Sequence, residues 1–298
     1  MLRRIHIAKH SGFCMGVKRA IQIAEETAAK ADGPVTILNE IVHNEAVVEK
    51  FRKEGVGQVG SVHDVTTGTL IISAHGVAPD IKRQAEEAGL TVVDATCPLV
   101  ERIYKIIEKV IADGYHVIHI GDPNHDETHG IVGHAPDQIT VVAHTKELAD
   151  LPEWKDRKLG LTVQTTAHTG ELAEIEKLAR QKWPQIEIFN TICNATTQRQ
   201  TAVMDLAPDV DLILIVGSST SANSNRLARI ANVSCGRGYL IGSATDIRGE
   251  WFEGSDGAKV VGVSAGASTP EFLVEEVITR LIDISGGKAT VIRPKPDL

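Results

Sequence analysis

The stretch Thr91-Val92-Val93-Asp94-Ala95-Thr96-Cys97-Pro98 changes its period across a single cysteine. Before Cys97 the residues are β-prone. After it, Val100, Ile103, Tyr104, Ile107 and Ile111 recur at three- and four-residue steps, the period of an amphipathic helix. Pro98 suits the first helical turn, where no N–H is needed, and the helix is expected to stop near Gly114. An aliphatic run, Val117-Ile118-His119-Ile120, then enters the polar loop Gly121 to Glu127. Strand, helix, strand and polar loop in this order predict an α/β fold with parallel sheets. Ligands of such sheets bind outside the carboxyl ends of the strands.

The same order occurs twice more. Arg4-Ile5-His6-Ile7 leads to Cys14 and a helix over Met15 to Lys30. Ile186 to Ile192 leads to Cys193 and a helix over Asn194 to Leu206. The matching second strands are Thr69-Leu70-Ile71-Ile72, running into Ser73-Ala74-His75-Gly76, and Leu212 to Val216, running into Gly217 to Ser224. We therefore expect three similar α/β lobes in a pseudo-threefold arrangement around a shared centre. The expected boundaries are 14–96, 97–192, and 193–285 joined by 1–13, with residues 286–298 as an extended C-terminal tail. The N-terminal strand goes with the third lobe, which otherwise lacks a strand leading to a cysteine.

Composition agrees with a folded globular chain: 42% hydrophobic and 23% charged residues. Aromatics are only 4%, so the core rests on aliphatic side chains, as buried parallel strands do. A formal net charge of −8 argues against nonspecific nucleic-acid binding, which draws on phosphate neutralisation. No apolar run reaches the length of a membrane helix. Met1 to Ser11 lacks the apolar centre of a signal peptide, so a cytoplasmic protein with reduced thiols is expected.

Cys14, Cys97 and Cys193 share one context, the turn from a strand to a helix. A helix N-terminus favours thiolate, the form that binds metal. No CxxC pair is present, so spacing alone does not name a metal. Each cysteine taken alone is better read as a small buried hydrophobe. Three in matched contexts point to one metal centre with an open position, since closed four-ligand sites are structural. Cys235 has no such context and reads as a structural thiol.

His43, His75 and His125 each adjoin an expected helix start, and the loop Ser218 to Asn225 is dense in hydroxyl and amide groups. Such donors suit an anion, although turn and cap roles explain each loop better when it is taken singly. Gly262 to Ser268 adds a further small-residue turn. Glu127 is open to two readings, a proton relay or an acid placed by the helix dipole. Thr165 is open to two as well, a hydroxyl partner or an N-cap.

Taken together, these motifs resemble the 4-hydroxy-3-methylbut-2-enyl diphosphate reductase family. The resemblance is carried by Ser11 to Val17, Ile41 to Asn44, Ser73 to Val77 and Asp94 to Pro98. It continues through His125-Asp126-Glu127, Gln164-Thr165-Thr166, Thr191 to Thr196, Ser221 to Arg226 and Ala265 to Ser268. It implies a trefoil of α/β lobes around a [4Fe–4S] cluster on Cys14, Cys97 and Cys193, with one iron lacking a protein ligand. It implies a substrate pocket using His43, His75, His125, Thr165, Ser221, Ala222, Asn223 and Ser268. Glu127 is implied as proton donor, supported by Thr165. The implied reaction is reductive dehydroxylation of an allylic diphosphate to isopentenyl and dimethylallyl diphosphate, the last step of the non-mevalonate pathway. Ferredoxin or flavodoxin is the implied electron donor. One departure is visible: Ser221-Ala222-Asn223 stands where members commonly have Ser-Ser-Asn, so a contact at Ala222 must use its backbone N–H. Read without the resemblance, the residues also admit a three-cysteine zinc hydrolase of phosphate esters, or a redox-sensing diphosphate-binding protein.

Overall fold

The computed structural model describes residues 2–254 and 256–294. In chain order the elements begin β1 (Arg4–Ile7), α1 (Met15–Lys30), β2 (Val35–Leu38), α2 (Glu45–Lys53), β3 (Gly57–Val59), β4 (Thr69–Ile72), α3 (Pro79–Glu87) and β5 (Thr91–Asp94). They continue with α4 (Pro98–Ala112), β6 (Tyr115–Ile120), α5 (Asp126–Val132), β7 (Ile139–Val142), β8 (Lys158–Val163), α6 (Leu172–Lys182) and β9 (Glu187–Phe189). The last are α7 (Asn194–Leu206), β10 (Leu212–Val216), α8 (Ala222–Cys235), β11 (Gly238–Ile241), β12 (Val260–Ala265), α9 (Glu271–Ile284) and β13 (Thr290–Ile292). The fold is α/β, and every strand pairing is parallel.

Two compact units divide the chain. One comprises 16–42 and 48–193 and holds two four-stranded sheets, ordered β3-β2-β4-β5 and β7-β6-β8-β9. The sheets of the first and second expected lobes thus lie within one unit. The other unit comprises the described residues of 1–15, 43–47 and 194–298 and holds a five-stranded sheet, β11-β10-β12-β1-β13. In each sheet the first strand is flanked by the second and the third, with a fourth beyond the third. In the five-stranded sheet β1 fills that fourth place, paired with β12 on one side and β13 on the other. The N-terminal strand therefore belongs to the same sheet as β10 to β12. The tail after Gly287 is extended, and Thr290–Ile292 within it is a paired strand; Pro296 lies outside the described residues.

The central strands are fully buried, as parallel strands covered on both faces must be. Leu70, Ile71 and Ile72 of β4 and Leu212 to Val216 of β10 have no exposed surface. The α4 stripe is slightly shifted from the one the sequence predicts. Val100, Ile103, Tyr104 and Ile107 are buried as expected, Val110 joins them, and Ile111 is only partly covered. Gly114, with φ +82, ends the segment where expected. Among the described residues no helix is long and apolar enough to cross a membrane.

Candidate active site

Each of the three sheets treats its cysteine in the same way. The strand in the fourth place runs into the cysteine, and a long helix starts there. The cysteine N–H then donates to a carbonyl in the loop after the third strand. Cys97 donates to Ala74 at 3.0 Å, Cys193 to Thr165 at 3.1 Å, and Cys14 to Ala267 at 3.0 Å. None of the three is in a disulfide, and all are half-buried. Cys97 is the N-cap of α4. The Cys14 turn needs Gly12, whose φ of +75 is a conformation that L side chains rarely adopt. The Gly12 carbonyl accepts from Nη2 of the buried Arg199 at 2.5 Å. Cys235, at the end of α8, instead packs against the apolar cluster of Val203, Ile213 and Leu227.

The other candidate residues follow first and third strands, where the strand order reverses and open α/β sheets bind ligands. After β6 comes Glu127, in the first turn of α5 and only 3% exposed. Both of its oxygens are engaged by one residue after β8. Oε1 accepts the Thr165 N–H at 2.7 Å, and Oε2 accepts the Thr165 hydroxyl at 2.6 Å. Burial pushes the Glu127 carboxyl above its ordinary range, and the two Thr165 bonds pull only partly the other way. A carboxyl with a raised pKa, fixed in place by two hydrogen bonds, is what a proton donor requires. Glu127 sits in the first helical turn and is also buried against a hydroxyl. Thr165 is the hydroxyl partner and caps no helix.

In the same unit His125 is the N-cap of α5, its Nδ1 accepting the Glu127 N–H at 3.1 Å. That bond places the proton of the neutral ring on Nε2, leaving Nε2 to donate elsewhere. His75, after β4, meets His125 edge-on with ring centroids 5.5 Å apart. Ser73 Oγ lies 3.4 Å from His75 Nδ1.

The other unit holds Ser221, Ala222, Asn223, Ser268 and His43. Ser221 is the N-cap of α8, its Oγ accepting the Ser224 N–H at 3.3 Å. Ala222 and Asn223 occupy the first helical positions, whose N–H groups have no intrahelical acceptor. The Asn223 side chain is 5% exposed, yet neither its Nδ2 nor its Oδ1 has a partner. A buried amide in that state costs stability unless a ligand completes it. Ser224, directly after it, is fully buried and wedged beneath Gly217 and Gly266, where any Cβ would collide with its hydroxyl. The helix therefore starts very close to β10 and β12. Ser268 Oγ donates to the His43 carbonyl at 2.9 Å, joining two further candidates.

Sequence reasoning passed over a buried polar group on β6, the strand that leads to Glu127. His119 on β6 is fully buried, its Nδ1 2.9 Å from Thr162 Oγ1 and its Nε2 without a partner. Burial lowers its pKa to about 4. Gln164, just before Thr165, accepts the Asp122 N–H at 3.0 Å and leaves its Nε2 unpartnered. A histidine within an aliphatic run was the signal that a polar group is buried there.

A sequence profile of the LytB protein family matches residues 5–282. A 4-hydroxy-3-methylbut-2-enyl diphosphate reductase of Methylibium petroleiphilum is 42% identical over 92% of this chain and 84% of its own length. The protein of the same name in Geobacter metallireducens is 39% identical over 96% of this chain and 99% of its own. Among solved structures, the E-1-hydroxy-2-methyl-but-2-enyl-4-diphosphate reductase of Plasmodium falciparum superposes with a TM-score of 0.93 at 29% identity. It covers 100% of this chain and 94% of the other.

Proposed function

The chain belongs to the LytB protein family, and from that membership we propose that it reduces 4-hydroxy-3-methylbut-2-enyl diphosphate. The reaction removes the allylic hydroxyl as water, taking up two electrons and two protons per turnover, and gives isopentenyl and dimethylallyl diphosphate. It is the terminal step of the non-mevalonate route. The observation that carries this reading is the Glu127–Thr165–Cys193 chain of hydrogen bonds, which ties a buried carboxyl of raised pKa to the turn of a thiol.

Three half-buried thiols in equivalent turns are a donor set that fits a thiolate-bound iron–sulfur centre. We assign Cys14, Cys97 and Cys193 as ligands of a [4Fe–4S] cluster with one iron lacking a protein ligand. When bound, it supplies the electrons and a Lewis-acidic iron for the substrate hydroxyl. Ferredoxin or flavodoxin, the small one-electron carriers, would deliver those electrons.

The chain's own residues hold the substrate and move the proton. Asn223, Ser221 and the N–H groups at the start of α8 bind phosphate oxygens, as helix N-termini do, and Ser268 joins them by turning its hydroxyl away from the His43 carbonyl. Ala222 contributes through its backbone, so the missing hydroxyl leaves that contact intact. His43, His75 and His125 add imidazole donors. Glu127 gives its proton to the departing hydroxyl, and the Thr165 hydroxyl keeps the carboxyl aimed and stabilises the carboxylate left behind.

An anaerobic assay with this substrate and a chemical reductant tests the reading, following product and cluster absorbance together. Product formed with stoichiometric loss of reductant is expected. A colourless protein that binds zinc and leaves the substrate unreduced would overturn it.

A further inference from the structure

Asp126 stands between His125 and Glu127 and has been given no role so far. A carboxylate is an unexpected neighbour for an anion site, because it repels phosphate unless another group engages it. Here both of its oxygens face partners. Oδ1 accepts Nδ2 of Asn39 at 3.1 Å, and Oδ2 lies 3.8 Å from Nδ1 of His75. Asn39 follows β2, His75 follows β4, and Asp126 opens α5, so the carboxylate bridges loops that belong to two different sheets of one unit.

Asn39 is itself held in place. It is one of two non-glycine residues with positive φ among those described, at +59, and its N–H donates to the Val59 carbonyl at 2.8 Å. Asparagine tolerates this conformation better than most residues, yet it is retained only where surrounding structure imposes it. The side chain it presents to Asp126 is therefore fixed by the backbone. On the other side, Asp126 and Ser73 both approach the same ring nitrogen of His75.

We propose that Asp126 is a positioning residue for His75. Anchored by Asn39, its carboxylate faces Nδ1 of His75 at 3.8 Å, sets the ring's orientation and favours the imidazolium form, in which both nitrogens carry a proton and Nε2–H is left to donate to the diphosphate. A carboxylate that orients an imidazole through one nitrogen so that the other can act is a recurrent arrangement. Asp126 touches no reacting atom.

The proposal rests on His75 lying in the diphosphate pocket, as assigned above. The test uses the cluster-loaded enzyme and two variants, Asp126→Asn and Asn39→Ala. Turnover is measured against substrate concentration, and inorganic pyrophosphate serves as competing probe. In Asp126→Asn, KM and the pyrophosphate inhibition constant are expected to rise together by roughly tenfold or more, the scale of one charge-assisted hydrogen bond. kcat should stay within a few-fold. Asn39→Ala should move both constants the same way by less, and Asp126→Glu should recover part of the loss. The rival role is an acid that merely favours the first turn of α5. It predicts a lower Tm with unchanged KM and pyrophosphate affinity, and that result would overturn the proposal. If the wild-type enzyme binds pyrophosphate but does not reduce the substrate, the assigned reaction fails while the pyrophosphate comparison still decides the role of Asp126.

Discussion

Cys193 donates its backbone N–H to the Thr165 carbonyl at 3.1 Å, while Thr165 donates both its own N–H and its hydroxyl to Glu127. One threonine therefore sets the acid and the cysteine turn together. Its three polar groups all have assigned work, and substitution can separate them.

Thr165→Val removes the hydroxyl and keeps the backbone bonds. The hydroxyl lowers the Glu127 pKa, so its loss moves that pKa further up. The alkaline limb of kcat, where the acid loses its proton, should shift to higher pH. kcat at its optimum should fall by about tenfold for the lost stabilisation of the carboxylate. A pH–rate profile checks both.

Glu127→Gln should abolish turnover by about 10² to 10⁴, with cluster absorbance and pyrophosphate affinity retained. It should also change stability in a pH-dependent way. The folded state raises this pKa above the ordinary 4.5, so it binds more protons than the unfolded chain. Wild-type stability is therefore lost as pH rises from 4.5 toward the folded value. The Gln variant lacks this loss and should gain in Tm relative to wild type as pH rises through that window.

Cys14→Ser should remove the visible absorbance of the cluster and the activity together. Cys235→Ser, which changes only a side chain packed against an apolar cluster, should keep both. Retained absorbance and full activity in Cys14→Ser would sink the ligand assignment.

Asn223→Leu separates function from stability. The buried amide has no partner on either atom, so an apolar replacement of similar size should stabilise the ligand-free protein by about 1 kcal/mol. Substrate binding should weaken sharply. Thermal unfolding without ligand, compared with KM, measures the exchange.

His119 predicts acid sensitivity. Its pKa is lowered to about 4 by burial, so the unfolded chain takes up a proton that the folded one refuses. Its contribution to stability is full above the unfolded value, about 6.5, and is lost as pH falls toward 4, by roughly 3 kcal/mol. Denaturant titrations of wild type and His119→Leu across this range should show a flatter pH dependence in the variant.

Much of this was legible in the sequence because period and punctuation are local. The cysteine turns, the α4 stripe and the loop after each central strand follow from residues close together in the chain. The order of strands does not, because parallel strands are joined by long crossovers and nothing local says which edge a strand takes. The edge strands β3, β7 and β11 escaped for a related reason. They are short, and only pairing with β2, β6 and β10 marks them as strands. Glu127 illustrates the same limit at the site. An acid in a first helical turn is ordinary, and only Thr165, brought beside it by the pairing of β6 with β8, makes it a buried acid.

The fourth place in the five-stranded sheet carries a consequence for biosynthesis. Arg4 pairs with Val260 and Thr290, and the Cys14 N–H reaches Ala267. Of the described strands, β1 is synthesised first and is thus among the last to find its neighbours. β2 to β5 and β6 to β9 can close as they emerge, so the turns of Cys97 and Cys193 are formed while Cys14 still lies on an unpaired segment. Contacts that span nearly the whole chain form slowly and leave strand edges exposed meanwhile. On the ligand assignment proposed above, loading of a metal centre would wait for the last third of the chain, and a nascent polypeptide halted before β12 would carry all three thiols without the Cys14 turn that the assignment needs.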